Sequence, residues 1–239
     1  MGASEPTVRR DLLALAATGS VIRTHGGARI AEVSNGEVAF ESREQINLAA
    51  KRAIGEAAYA LLRPGSAVFL DAGTTVLQLA RCLRLHPMPL RVFTNCLSVA
   101  QVLLPVPGLT ITLLGGTLRP QNASIVGTLA EDALERLWFD QVFIGAGAVS
   151  DSLEISSADE QEARINRRML ARTAAPVLMA DADKFGQRLT YQVARLSDGM
   201  QVLSETRLAA DWQTRLAEIG CRVILTHQET SIHLSNPKR

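Results

Sequence analysis

From Ser42 onward the chain alternates short, almost wholly apolar segments with segments of helical period, and no other feature constrains its fold as much. The apolar segments are SAVFLD, LRVFT, LTITLLGG, DQVFIGAGA, PVLMAD and CRVILT. Between them lie TTVLQLARCL, LSVAQVLL, TLAEDALERL, ADEQEARINRRMLARTA and LAADWQTRLAEIG. A strand without a polar face must be covered on both sides, and helices that carry the chain back over the sheet do this. The predicted class is therefore α/β, a mostly parallel sheet covered by helices. A composition 47% hydrophobic but only 4% aromatic suits such packing better than a β-sandwich. One long amphipathic helix, with Ile46, Ala50, Ile54, Ala57 and Leu61 on its stripe and Pro64-Gly65 at its end, leads into the sheet.

The first thirty residues follow a different pattern. In SEPTVRRDL, Ser4 is a good N-cap, Glu5 sits at the positive helix end and Pro6 in the first turn. Val8, Leu12 and Leu15 form an apolar stripe, and Thr18-Gly19 stops the helix. SVIRT and ARIA around HGG then read as a β-hairpin. Arg9, Arg10, Arg23 and Arg29 against Glu5 and Asp11 give this segment a balance of four minus two, or +2. The predicted organisation is 1–31 for helix and hairpin, 32–41 for a linker, 42–227 for the α/β domain and 228–239 for a polar tail.

Several classes are excluded. Net charge is +1, so the chain as a whole has no basic field for nucleic acid or anionic membrane, and any such signal is local. Cys82, Cys96 and Cys221 belong to no CxxC or Cys/His cluster, and the four histidines are scattered, so neither a disulfide framework nor a metal site is expected. No apolar run is long enough to span a bilayer and the first residues lack the apolar core of a signal peptide, from which a cytoplasmic protein is expected. GAGAVS lacks the third glycine of a dinucleotide fingerprint. There is no Walker motif and no Ser-His-Asp set, and no cofactor is expected.

In a parallel sheet ligands bind at the C-terminal strand ends. DAGTT supplies Asp71, Gly73, Thr74 and Thr75 at a helix start, either a phosphate nest or a capped strand-to-helix turn. TNC puts Asn95 at the next strand end; LGGTLR offers Gly115, Gly116 and Arg119; ADADKFG offers Asp181, Asp183 and Lys184. Together these loops suit an anionic, polyhydroxylated ligand. In DEQEARINRRML, Glu160 or Glu162 could line the site, although charge at this density reads first as a solvated helix face.

These residues resemble one family, the DeoR-type transcriptional regulators. SEPTVRRDLLALAATGSVIRTHGGA is similar to its recognition helix and wing. Phe40 and Arg43 of F-x-x-R, Lys51 to Gly55 of K-x-x-IG, Pro64-Gly65, DAGTT, TN, LGG-x-LR and DADKFG follow in the family's order. The resemblance implies a ribose-phosphate isomerase/CoA-transferase-like sensor domain that responds to phosphorylated sugars, preceded by a partial winged helix-turn-helix. It implies an effector site at Asp71, Gly73, Thr74, Thr75, Asn95, Gly115, Gly116, Arg119 and Lys184. It also implies that Thr7, Arg9, Arg10, Arg23 and His25 face DNA. MGAS aligns with the end of the family's preceding helix, so the resemblance implies that half of the DNA-binding domain is missing and that operator binding is impaired. The chain departs from the family at Gly147 and Ala148, where an acidic residue is frequent, at Asn166, where lysine is usual, and at Cys96, where serine is frequent.

The expected function is that of a non-enzymatic, DNA-binding regulator of sugar metabolism, a repressor released or recruited by a phosphorylated sugar or polyol. A two-fold operator would make it a homo-oligomer, dimer or tetramer. The alternatives are a sugar-phosphate isomerase or CoA-transferase-like enzyme, with Asp71, Glu162 and Asp181 as carriers of acid–base chemistry, or a sensor module without DNA binding.

Overall fold

The structure, a computed structural model, describes residues 39–227 together with Val8 and the extended segments 21–24, 27–30, 33–34 and 37–38. β1 (Val21–Thr24) and β2 (Gly27–Ile30) pair antiparallel, Val21 opposite Ile30 and Thr24 opposite Gly27, as the glycine turn predicts. The two-residue strands β3 (Val33–Ser34) and β4 (Glu37–Val38) pair next. Thr7, Arg9, Arg10, His25 and the 228–239 tail lie outside the described residues, and only the backbone of Arg23 is described, within β1.

Two helices stand where periodicity predicts one: α1 (Phe40–Gln45) and α2 (Leu48–Tyr59). Ile46 is extended and Asn47 is left-handed, with φ 52° and ψ 34°. Asparagine is one of the few residues with a Cβ that tolerates this conformation, and the apolar stripe resumes after it, which hides the break from a reading by period. α2 ends at Tyr59, and Gly65 (φ 81°) turns the chain into the sheet, its N–H donating to the Pro89 carbonyl.

The chain continues through β5 (Ala67–Leu70), α3 (Val76–Leu85), β6 (Leu90–Thr94), α4 (Leu97–Leu103), β7 (Leu109–Leu113), β8 (Thr117–Arg119) and β9 (Ser124–Val126). α5 (Thr128–Leu134), β10 (Gln141–Gly145), β11 (Ala148–Val149), β12 (Glu154–Ser157) and α6 (Glu160–Leu170) follow. β13 (Pro176–Met179), β14 (Tyr191–Arg195), β15 (Gln201–Glu205), α7 (Ala210–Glu218) and β16 (Arg222–Thr226) complete it. Seven strands form one sheet in the order β16-β15-β13-β10-β5-β6-β7, parallel throughout. The α/β class is as predicted. β15 within that sheet, the β8–β9 hairpin and the small antiparallel sheet β11-β12-β14 are additions that the six apolar runs do not announce.

Alternation along the buried strands sorts the core by face. Val68, Leu70, Phe143, Val177, Met179 and Leu203 point to the side covered by α2 and α3, where they meet Ile54, Ala58, Leu79 and Leu83. Phe69 and Val142 point to the other side, against Leu134, Ile165 and Met169 of α5 and α6. Ile144, Leu178 and Val202 extend that second face under the small sheet and α7, with Ile155, Val193 and Leu216. Full burial of each such side chain is worth roughly 1.5–3 kcal/mol, so both faces drive the fold. No helix among the described residues is long and apolar enough to cross a membrane.

Gly55 lets α2 lie close against α3. A Cβ there would lie 2.7 Å from Gln78 Cβ and 2.9 Å from the Gln78 carbonyl carbon on α3. On an exposed helix Gly→Ala stabilises by about 1 kcal/mol. Here Gly55→Ala is expected to destabilise, by roughly 1–3 kcal/mol, because α2 must move off α3. A urea titration checks the sign.

Candidate functional site

Strand order reverses beside β5: the chain runs from β5 outward to β6 and β7, then returns to β10 on the other flank of β5. The crevice at such a reversal is where open α/β sheets bind ligands. Asp71 marks it. Its backbone N–H donates to the Phe143 carbonyl (3.0 Å), and its carboxylate accepts from the N–H groups of Ala72 (2.6 Å) and Gly145 (3.2 Å).

Above Asp71 lies a cavity of about 600 Å³. Gly73, Thr74 and Thr75 bring the start of α3 to it, where the first N–H groups of a helix have no partners within the helix. Glu162 and Asn166, one turn apart on α6, form a second wall. Asp181, Asp183 and Lys184, after β13, form a third, and Arg43, Asn47 and Lys51 of α1 and α2 a fourth. Ser156 and Ser157 of the small sheet add hydroxyls.

The carboxylate side is heavily braced. Glu162 Oε1 accepts from Asn122 Nδ2 (2.7 Å), Ser124 Oγ (2.9 Å) and Arg119 Nη1 (3.2 Å). Asn122 also donates to the Ala72 carbonyl (2.8 Å). With its amide nitrogen turned towards acceptors, Asn166 donates to Asp71 Oδ1 at 3.3 Å. Burial, reinforced by the nearby Glu162 charge, pushes the Asp71 carboxyl up to about 7, against the pull of the Ala72 and Gly145 N–H groups.

The cationic side is built from two ammonium groups. Lys51 is 3% exposed, and its Nζ donates to the Arg43 carbonyl. Burial lowers its pKa to about 8; Asp181 opposes the fall, while Lys184 and Arg43 add to it. Among the described residues the Lys184 ammonium has no hydrogen-bond or ion-pair partner. Unlike a solvated loop lysine, it lines the cavity that Lys51 also lines.

Asp71, Gly73, Thr74, Thr75 and Lys184 of the sequence-derived set meet at this cavity. Asn95, Gly115, Gly116 and Arg119 are not on its wall, and each has a different task. Asn95 is buried and its carbonyl accepts from Ile125 N–H (2.7 Å), tying β9 to the end of β6. A Cβ on Gly116 would lie 2.6 Å from the Val126 carbonyl oxygen, so Gly116 lets the chain entering β8 lie close against the end of β9, while Gly115 beside it meets no neighbour within 4 Å. Arg119 is spent on Glu162 and on Asp159 Oδ2 (3.2 Å). Glu162 corrects the solvated-face reading, which holds for the exposed Glu160. Lys51 and Arg43 went unassigned to the site because nothing in their spacing shows that α1 and α2 fold over the strand ends. Among the described residues no cluster of His, Cys, Asp or Glu could hold a metal ion.

Residues 46–206 match the family described as the DeoR C terminal sensor domain, and residues 1–33 match the DeoR-like helix-turn-helix domain. The chain is 33% identical to a putative aga operon transcriptional repressor of Escherichia coli O157:H7, across 94% of this chain and 84% of that one. Identity is 35% to the HTH-type transcriptional regulator GlpR of Haloferax volcanii (94% and 87%). It is 37% to the uncharacterized HTH-type regulator YgbI of Escherichia coli K12 (96% and 89%). Ribose 5-phosphate isomerase A of Methanocaldococcus jannaschii shares part of the fold, at a TM-score of 0.40 and 15% identity over 56% of this chain and 53% of that one.

The two buried groups give opposite pH dependences. Between 3.8 and about 7 the folded chain holds the Asp71 proton more tightly than the unfolded chain, so this group removes stability as pH rises through that window. The Lys51 penalty is full below about 8 and is relieved towards 10.5. Relative to the parent chain, Asp71→Asn is expected to gain stability as pH rises from about 4 to about 8, by at most ~4 kcal/mol. Urea titrations at constant ionic strength check this; a pH-independent difference would refute the buried-charge account.

Proposed function

The chain belongs to the DeoR family of DNA-binding transcriptional regulators, and we propose that a phosphorylated sugar or polyol in the switch-point cavity controls its grip on operator DNA. One observation carries this reading: two ammonium groups, Lys51 and Lys184, line the same cavity as the α3 start and lie close enough to feel each other's charge. A helix start with two cations suits a phosphate dianion. Opposite them, Asp71, Glu162, Asn166, Ser156 and Ser157 offer the acceptors and donors that sugar hydroxyls use. Gly73, Thr74 and Thr75 are read as phosphate contacts, and Asn95, Gly115, Gly116 and Arg119 as the frame behind them.

The relatives' names support a repressor, and the match at 1–33 supports DNA contacts by Thr7, Arg9, Arg10, Arg23 and His25. Two-fold operators favour a homo-oligomer, and control is linkage, the effector favouring one arrangement of the DNA-binding segments. A sensor fits better than an isomerase. Both Asp71 oxygens already accept backbone N–H groups, which leaves that carboxylate poorly disposed to take a proton from carbon.

A saturating sugar phosphate, at about a hundred times its dissociation constant, is expected to stabilise the fold by roughly 2.7 kcal/mol, a melting shift of roughly 5–10 °C. Lys184→Ala should remove most of that shift with little effect on the free protein. Arg119→Ala should instead lower the stability of the free protein, by roughly 3 kcal/mol, since it strands Glu162 in a buried network. A sugar-phosphate panel without any thermal response refutes the effector, and sustained turnover abolished by Asp71→Asn refutes the non-enzymatic reading. For DNA, Arg9→Ala or Arg10→Ala should lower the salt slope of binding by about one if each side chain holds a phosphate.

A further inference from the structure

α1 is the first described helix after the segment that matches the DNA-binding domain, and the stretch that starts in its last turn is tied to the rim of the cavity at two points. At the first, Arg43 Nη2 donates to Asn122 Oδ1 (2.6 Å) and to the Gln121 carbonyl (3.3 Å). Asn122 in turn holds Glu162 and the Ala72 carbonyl. At the second, Asn47 Nδ2 donates to Asp181 Oδ1 (3.1 Å) and to Asp183 Oδ2 (2.7 Å). The nine residues from Arg43 to Lys51 thus form a strap across the switch point. One attachment is the β8–β9 turn and the other is the loop after β13. Lys51 closes the strap on itself through the Arg43 carbonyl.

Phe40 anchors α1 in the core on the α2–α3 side of the sheet, so α1 cannot drift freely. The hinge is Asn47. Its left-handed backbone, which asparagine tolerates better than most residues with a Cβ, occurs where the two aspartates hold its amide. The same aspartates sit beside Lys184 and near Lys51, the cations that face the cavity. An anion on those ammonium groups repels Asp181 and Asp183. Their retreat removes both acceptors from Asn47, and the α1–α2 break is then free to change angle.

We infer that the Arg43–Lys51 strap, latched by Asn47 on Asp181 and Asp183, is the element through which an anion in the cavity is felt by the DNA-binding segment. The inference rests on the cavity being an anion site, and it adds the device that reports occupancy. Asn47 is a positioning residue in it. The device has two discrete states, latched and unlatched, and the anion and the chain leading to the DNA-binding segment both bias them.

Hydrogen exchange on the full chain, with inorganic phosphate at about 10 mM as probe and sodium chloride matching the ionic strength, tests this. In the parent chain phosphate should slow exchange at residues 73–78 and speed it across 39–47, each by roughly threefold or more. Asn47→Gly keeps the left-handed backbone accessible and deletes both latch bonds. In that variant 39–47 should exchange fast without phosphate and respond no further, while 73–78 are still protected. Protection at 73–78 with no change across 39–47 in the parent, or an Asn47→Gly variant that responds like the parent, overturns the strap and leaves the anion site standing. No response at 73–78 overturns both. A melting curve for Asn47→Gly within a few degrees of the parent shows that the comparison is between folded proteins.

Discussion

The bond on which the site depends is the one from the Gly145 N–H to the Asp71 carboxylate. At a switch point two neighbouring strands send their chains away in opposite directions, and their last backbone groups lose the partners a continuing ladder would give. Asp71 supplies an acceptor across that gap, at 3.2 Å from Gly145, and another to its own neighbour Ala72. The crevice therefore stays open with its floor satisfied. Burying the carboxylate is unfavourable, and the raised pKa measures that cost. Much of the surrounding chemistry can be understood as the response to one charge that the backbone requires there.

That response is uneven, and the unevenness shapes the cavity. Glu162 brings a second charge close to Asp71, yet the donors on Glu162 Oε1, from Asn122, Ser124 and Arg119, come from the β8–β9 region rather than from the ligand side. Asn166 stands beside Asp71 where the family usually has lysine, and an amide donates a hydrogen bond without bringing a charge. Arg119 thus offsets the Glu162 charge from behind, and Asp71 and Asn166 line the cavity as hydrogen-bonding groups, while Lys51 and Lys184 carry its positive charge. A cavity polarised this way orients a ligand that is anionic at one end and rich in hydroxyl donors at the other, and it disfavours the reverse pose by like-charge repulsion.

Six of the seven parallel strands were legible from apolar runs such as AVFL of β5 and PVLM of β13, whereas β15, QVLSE, was not, because Gln201, Ser204 and Glu205 interrupt its run. The strand-end loops were legible from the same runs, which is why Asp71, Gly73, Thr74, Thr75 and Lys184 could be named together. Composition could not separate a loop glycine that serves a ligand from one that lets two strands lie close, so Gly115 and Gly116 read like Gly73. Nor could it show that Arg119 would be consumed by Glu162 six elements later in the chain. Lys51 looks like any solvated lysine on a helix stripe. Its burial follows from where α2 lies over the strand ends, a tertiary fact that helical period does not encode. The break at Asn47 is invisible because one left-handed residue shifts a helix without erasing its stripe.

The strap also bounds how strongly the two ends of the protein can be coupled. A ligand shifts a conformational equilibrium only by its differential affinity for the two states, here the strength of the bonds it makes the strap give up. Asn47 contributes two hydrogen bonds to ionised acceptors, each worth roughly 1.5–3 kcal/mol when sheltered and less at the exposed Asp183. Relief of the left-handed backbone returns about 1 kcal/mol to the unlatched state. The net is a few kcal/mol, or roughly ten- to several-hundred-fold in operator affinity, the usual span of an allosteric coupling. Stronger anchoring would make the strap unresponsive to a millimolar metabolite, and weaker anchoring would leave it open without one. Asparagine suits the hinge for that reason. Glycine would tolerate the left-handed backbone but offer no latch to release, and alanine would carry the strain with no bond to offset it.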